Sequence, residues 1–181
     1  MVRILIEEEG PVLQRFSIVL GLLVAASLLS ACSAGGDTVL FDDGSLKADS
    51  RLEEILDAIS VSDSDELENM FSTTALSQVS DFKEQANSLF QLFQGTVESW
   101  ERTGFTSPTS IEAGEKITQS ISWYDVTNDK MTYVFLTIEC IEDTKDPDNV
   151  GLCTLAIVKK SEEDSKLTYW QDMQFPGIYI P

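Results

Sequence analysis

The sequence predicts an α+β domain, with helices in its first half packed on one face of a curved antiparallel sheet. Two observations lead there. Between Asp49 and Gly95 apolar residues recur at helical spacing, and from Thr96 onward they gather into short runs rich in Val, Ile, Thr and aromatics. The runs are joined by short polar turns, so successive strands become antiparallel neighbours. Helices followed by a run of strands layer as α+β.

The helices come first. In DSRLEEILDAIS, Leu52, Ile55, Leu56 and Ile59 share one face, and Ser50 with Glu53 forms a capping box. DSDELENMF predicts a short helix capped by Asp63 or Ser64, with Leu67, Met70 and Phe71 inward. SDFKEQANSLFQLFQG sets Phe82, Ala86, Leu89, Phe90 and Phe93 on a stripe, capped by Ser80 and ended by Gly95. These aromatics read as core.

Five strands follow: TVESWER, KITQSISWYDVT, MTYVFLTIECIE, VGLCTLAIVKK and KLTYWQDM. Asn128-Asp129 signals a tight turn, and Ser161 to Ser165 is polar enough to turn the last pair. Alternation is weak in MTYVFLTIECI, which predicts a central strand covered on one side and facing a cavity or a partner on the other. That two-faced strand also permits a homodimer through the sheet.

Ahead of the domain, Phe16 to Ala31 holds no charge in sixteen residues. That is short of the ~20 residues of a membrane-spanning helix. Arg15 precedes it and small residues close it, the pattern of a secretory signal peptide over residues 1–31. Leu29-Ser30-Ala31-Cys32 looks like a bacterial lipobox, in which the cysteine sulfur takes a diacylglyceryl group before cleavage. Two acyl chains, at ~0.8 kcal/mol per buried methylene, make a stable anchor. The expected place is therefore the outer, extracytoplasmic face of a membrane. Glu7 to Glu9 do not suit a leader, and a translation start at Val12 would remove them. Residues 32–47, rich in Ser, Gly and Asp, read as a tether, so the domain is expected over 48–181.

The chain carries −19; residues 1–31 hold two Arg and three Glu, which leaves −18 after cleavage. Such charge repels phosphate backbones, so nucleic acid is not an expected partner. With Cys32 assigned to lipid, Cys140 and Cys153 remain as a pair in an oxidising compartment. Folding the hairpin about Asp146-Pro147 sets Cys140 opposite Cys153, Ile138 opposite Leu155 and Leu136 opposite Ile157. A disulfide between the two cysteines is predicted from that register.

No histidine occurs, which removes Ser-His-Asp and Cys-His catalysis and the usual zinc sites. Asp143, Asp146, Asp148 and Asn149 cluster oxygen atoms but lack EF-hand spacing, so they read as a solvated turn. Asp63, Asp65 and Glu66 read as the acidic first turn of a helix. No metal or cofactor is implied.

The helix end LFQLFQG, then SWYDVTNDKMTYVFL, the hairpin DPDNVGLCTLAIV and the closing YWQDMQFPGIYIP together resemble a known pattern. The order resembles the nuclear transport factor 2-like (cystatin-like) fold, and more specifically a family of bacterial lipoproteins known only as a domain of unknown function. The resemblance covers residues 48–181. It implies a cone-shaped domain and a lipid-anchored life outside the cytoplasm, and it implies no reaction.

Some cone folds hold a pocket with a buried carboxylate base, for which Asp125, Glu139 and Asp172 are the strand candidates. Trp123, Tyr133, Trp170 and Tyr179 are the aromatics expected to line such a pocket or fill the cone. Three functions remain in view. The favoured one is a non-catalytic module binding a small ligand or a protein partner. The others are a carboxylate-base enzyme in the same pocket, and a toxin-immunity or envelope-assembly surface protein. A binding module is favoured because nothing in the chain assembles a nucleophile, base and orienting group.

Overall fold

The structure, a computed structural model, describes residues 43–167 and 175–181. The signal segment, Cys32, Trp170 and Asp172 lie outside the described residues.

Four helices precede the sheet: α1 (Asp43–Val61), α2 (Ser64–Asn69), α3 (Thr73–Ser77) and α4 (Phe82–Leu92). The first starts at Asp43 rather than near residue 48, so Ser50 and Glu53 sit inside it and cap nothing. Its early turns are fastened by the sheet instead, because Arg102 Nη1 donates to the Ser45 carbonyl at 2.7 Å. Tertiary contact of this kind extends a helix where local sequence gives no start signal. Asp63 caps α2, and Asp81 caps α4 one residue beyond the expected Ser80. Ser72 caps the short α3, which the periodicity did not reveal. Each cap is worth ~1 kcal/mol. The predicted stripes face inward: Leu52, Ile55, Leu67, Ala86 and Leu89 have no exposed surface.

The sheet runs β1 (Val97–Thr106), β2 (Thr109–Glu112), β3 (Glu115–Asn128), β4 (Thr132–Asp143), β5 (Gly151–Lys159) and β6 (Gly177–Tyr179). Its order is β1-β3-β4-β5-β6, with β2 also paired to β3. The fold is thus α+β, but not a pure antiparallel meander, since β5 and β6 are parallel. Parallel neighbours need a crossover. Here the chain leaves β5 through a 3-10 turn and a short α5 (Glu163–Lys166) and returns at Gly177. The strand expected over Lys166–Met173 is corrected at its start, where Lys166 ends α5; 168–173 lie outside the described residues.

Two apolar clusters form, one on each side of the sheet. On the helix side Tyr124, Phe135, Leu155 and Ile157 pack against Leu52, Ile55, Leu89 and Phe93. On the other side Val134, Leu136 and Ala156, with no exposed surface, meet Leu167, Trp123 and Tyr179. The two-faced β4 is therefore buried on both faces within its own chain.

The β4–β5 register also differs from expectation. Cys140 lies opposite Gly151, Ile138 opposite Thr154 and Leu136 opposite Ala156. A 3-10 turn over Pro147–Asn149, capped by Asp146, displaces the hairpin axis from Asp146-Pro147. A register shift between Ile138 and Glu139 then leaves Cys153 as the extra residue of a bulge. Cys140 and Cys153 are free thiols.

Gly151 is where β5 meets the helical half. Its φ is +128°, and a Cβ there would stand 2.8 Å from the Ser72 backbone nitrogen. That nitrogen donates to the Leu152 carbonyl at 2.9 Å, which pins α3 to the sheet. Gly114, in the β2–β3 turn, has φ +89° but open space around its missing Cβ. Both positions disfavour a side chain by ~1–2 kcal/mol through backbone conformation. Gly151→Ala also meets the clash, so it is expected to cost ~3 kcal/mol or more in urea unfolding, against ~1 kcal/mol for Gly114→Ala. Equal losses would contradict the close approach.

Candidate functional site

The helix-facing side of the sheet is divided into two halves. Toward the β3–β4 turn it is filled by Val126, Tyr133, Phe135 and Ile157, with Phe93 packed 4.9 Å from the Tyr133 ring and 5.4 Å from Phe135. Toward the other end the same strand positions become polar. Ser120, Ser122 and Thr137 are buried there, and Glu139 follows on β4. Strand alternation keeps all four on the side that α1 covers.

Two polar clamps join the first half of α1 to this polar end. Arg51 Nε and Nη2 both donate to Glu139 Oε1, at 3.1 and 2.8 Å, while Nη1 pairs with Glu54. Two residues earlier Asp49 Oδ1 accepts from Arg102 Nη1 at 2.7 Å and from the Tyr124 hydroxyl at 3.2 Å. Burial works against the Arg51 charge, but Glu139 and Glu54 outweigh it and raise the guanidinium pKa. The Tyr124 phenol is pushed up to about 12, chiefly by burial. Beside these clamps lies a cleft of about 420 Å³, lined by Leu46, Ser50, Arg51, Ser120, Glu139 and Ile141 among others. This is a size that holds a small molecule.

Of the two candidate bases among the described residues, Asp125 and Glu139, Glu139 lines this cleft. Asp125 lies on the opposite side of the sheet, paired with Lys160 at 3.0 Å. Strand alternation puts the described aromatics of the expected pocket on two sides of the sheet, Tyr133 on one and Trp123 with Tyr179 on the other. Tyr133 points to the helix side, where its hydroxyl donates to the Leu92 carbonyl at 3.0 Å and its ring fills the core. Trp123 packs over Gly104 on the other side, and Tyr179 stacks there on Phe175 at 4.7 Å. Arg51, Asp49 and Arg102 were not singled out by sequence. The one available signal was a charged residue, Arg51, beside the apolar positions of an amphipathic helix.

Cys140 and Cys153 line a second cavity of about 340 Å³ with Ser72, Asp143 and Asn149. Burial raises both thiol pKa values, which keeps them protonated and poor as nucleophiles. The Asp143 carboxylate is held low by Asn149 Nδ2, which donates to it at 2.8 Å, and by backbone amides of Asp146 and Lys145. Its oxygens serve the turn. Among the described residues no group of three or more Cys, Asp or Glu is arranged to hold a metal ion, and no helix is long and apolar enough to cross a membrane.

The fold and cleft define an α+β domain of helices laid on one face of a mixed six-stranded sheet. Residues 54–160 match the family described as Domain of unknown function (DUF5104), and the chain belongs to that family. No curated protein matches it.

The Tyr124 environment has a consequence at high pH. An unfolded tyrosine titrates near ~10. The folded value is higher, so this group's contribution to stability is fully present below pH ~10 and is lost as pH rises toward about 12. Ultraviolet titration of the phenolates is expected to show a late phase near pH 12. Tyr124→Phe should remove that phase; its persistence in the variant would contradict the assignment.

Proposed function

We propose that this protein is a lipid-anchored, extracytoplasmic binding module of the nuclear transport factor 2-like cone type. In this reading it holds a small polar ligand in the cleft beside Arg51 and Glu139. Leu29-Ser30-Ala31-Cys32 supports the anchor, and helices preceding a sheet that they cover support the cone. The observation that carries the binding reading is the state of the cleft charges. Arg51 is committed to Glu139 and Glu54, and next to the cleft, outside its lining, Asp49 is committed to Arg102 and Tyr124. Groups already satisfied by one another present a fixed surface for recognition.

The chemistry of the cleft suits a neutral ligand carrying hydrogen-bond donors. Both Arg51 bonds fall on Glu139 Oε1, which leaves Oε2 to accept from a ligand. Leu46, Ala48 and Ile141 supply an apolar edge, and the Ser50 and Ser120 hydroxyls add polar contacts. The competing reading makes Glu139 a general base, favoured by its place in the cleft. Its tie to Arg51 weakens that reading, since Oε1 is already engaged by two guanidinium hydrogen bonds and the carboxylate is held in place.

Labelled palmitate is expected to enter the protein expressed in a bacterium, and Cys32→Ser should abolish the label and release the protein from the membrane. Native mass spectrometry of the released domain should show a bound small-molecule mass that Ser120→Phe removes without loss of fold. Failure of palmitate to enter would overturn the anchor. A co-purified mass that survives Ser120→Phe, or its absence from the unaltered protein, would overturn the cleft as a binding site.

A further inference from the structure

A groove larger than the cleft lies at the far end of α1. It measures about 850 Å³ and lies between the last turns of α1, the end of α4 and the start of β1. Its lining is mixed: Leu56 and Ile59 from α1, Phe90 and Phe93 at the end of α4, and Val97 and Trp100 from β1 are apolar, while Ser60, Ser62, Gln94 and Thr96 add polar surface. Leu56, Ile59 and Phe93 are buried and belong to the main core, while Phe90, Val97 and Trp100 are half-buried and pack against it. Trp100 is fixed by edge contact with Tyr124, whose ring lies 5.7 Å away. The walls therefore belong to the folded core.

The rim has one sign of charge. Glu53 and Asp57 stand one turn apart on α1 and both line the groove, where no Lys or Arg joins them. Neither carboxylate has an ion-pair partner among the described residues, whereas Asp65, Asp125, Glu115 and Glu142 each have a lysine. Like charges at this helical spacing repel by a few tenths of a kcal/mol. A cation placed between them would relieve that repulsion, and one with an apolar body would cover the half-buried aromatics.

We propose that this groove binds a small amphipathic organic cation, its ammonium set between Glu53 and Asp57 and its apolar body against Phe90, Val97 and Trp100. The volume falls within the range of small-molecule sites, and aromatic walls favour a cation close to their faces. The proposal is independent of the cleft at the other end of α1, because none of these residues lines it.

Three probes of one shape separate the charge from the shape: 4-phenylbutylamine, 4-phenylbutan-1-ol and 4-phenylbutyrate. The readout is the nitrogen-15 spectrum of the labelled protein, following the Trp100 indole and the Gln94 and Val97 amides. The amine is expected to shift these signals saturably, with the alcohol about tenfold weaker and the carboxylate weaker still. Added salt should narrow the gap between amine and alcohol. Glu53→Gln combined with Asp57→Asn should lower amine affinity to that of the alcohol and leave alcohol binding unchanged. Equal binding of the three probes would overturn the proposal. So would the absence of saturable shifts at these positions, or full amine affinity in the double variant.

Discussion

The structure depends on α1 lying across the sheet. Its apolar positions close the core over Phe135 and Ile157, and its first half is tied to β1, β3 and β4 through Asp49 and Arg51. The apolar contacts supply most of the stabilisation, at ~25 cal/mol per Å² removed from water. The charged contacts set the helix's angle and height over the polar end of the sheet. Their geometry keeps a cleft open there, while the other half of the same face is filled.

That division into a dry half and a polar half comes from single strand positions. On β3 the inward sequence runs Ser120, Ser122, Tyr124, Val126, and on β4 it runs Glu139, Thr137, Phe135, Tyr133 toward the turn. Both strands change from polar to apolar at the same level. A filled core and a recognition surface can thus share one sheet face. Acid–base work would need a carboxylate released from its partner, and Glu139 is held by two guanidinium bonds.

Much of the architecture was legible in the sequence. The helix stripes at Leu52 to Ile59 and Phe82 to Phe93 carry a strong period, and β3, β4 and β5 are long β-branched runs. What escaped was set by contacts distant in sequence or by local geometry without an apolar signature. The four residues of β2 are all exposed, so they show no alternation. The true β4–β5 register follows from a 3-10 turn and a bulge that no hydrophobic pattern encodes. The strand β6 has three residues and finds its parallel partner only through the crossover. In the cleft Glu139 was legible as a strand carboxylate. Arg51, its partner, is 88 positions away, and no local rule pairs them.

Arg51 and Glu139 act as a structural clamp between α1 and β4. A double-mutant cycle of Arg51→Met and Glu139→Gln, measured by urea unfolding at neutral pH, reads that interaction directly. Both side chains are mostly shielded, at 26% and 16% exposure, so a coupling of about 1–2 kcal/mol is expected. A coupling below about 0.3 kcal/mol, with the single variants additive, would contradict it.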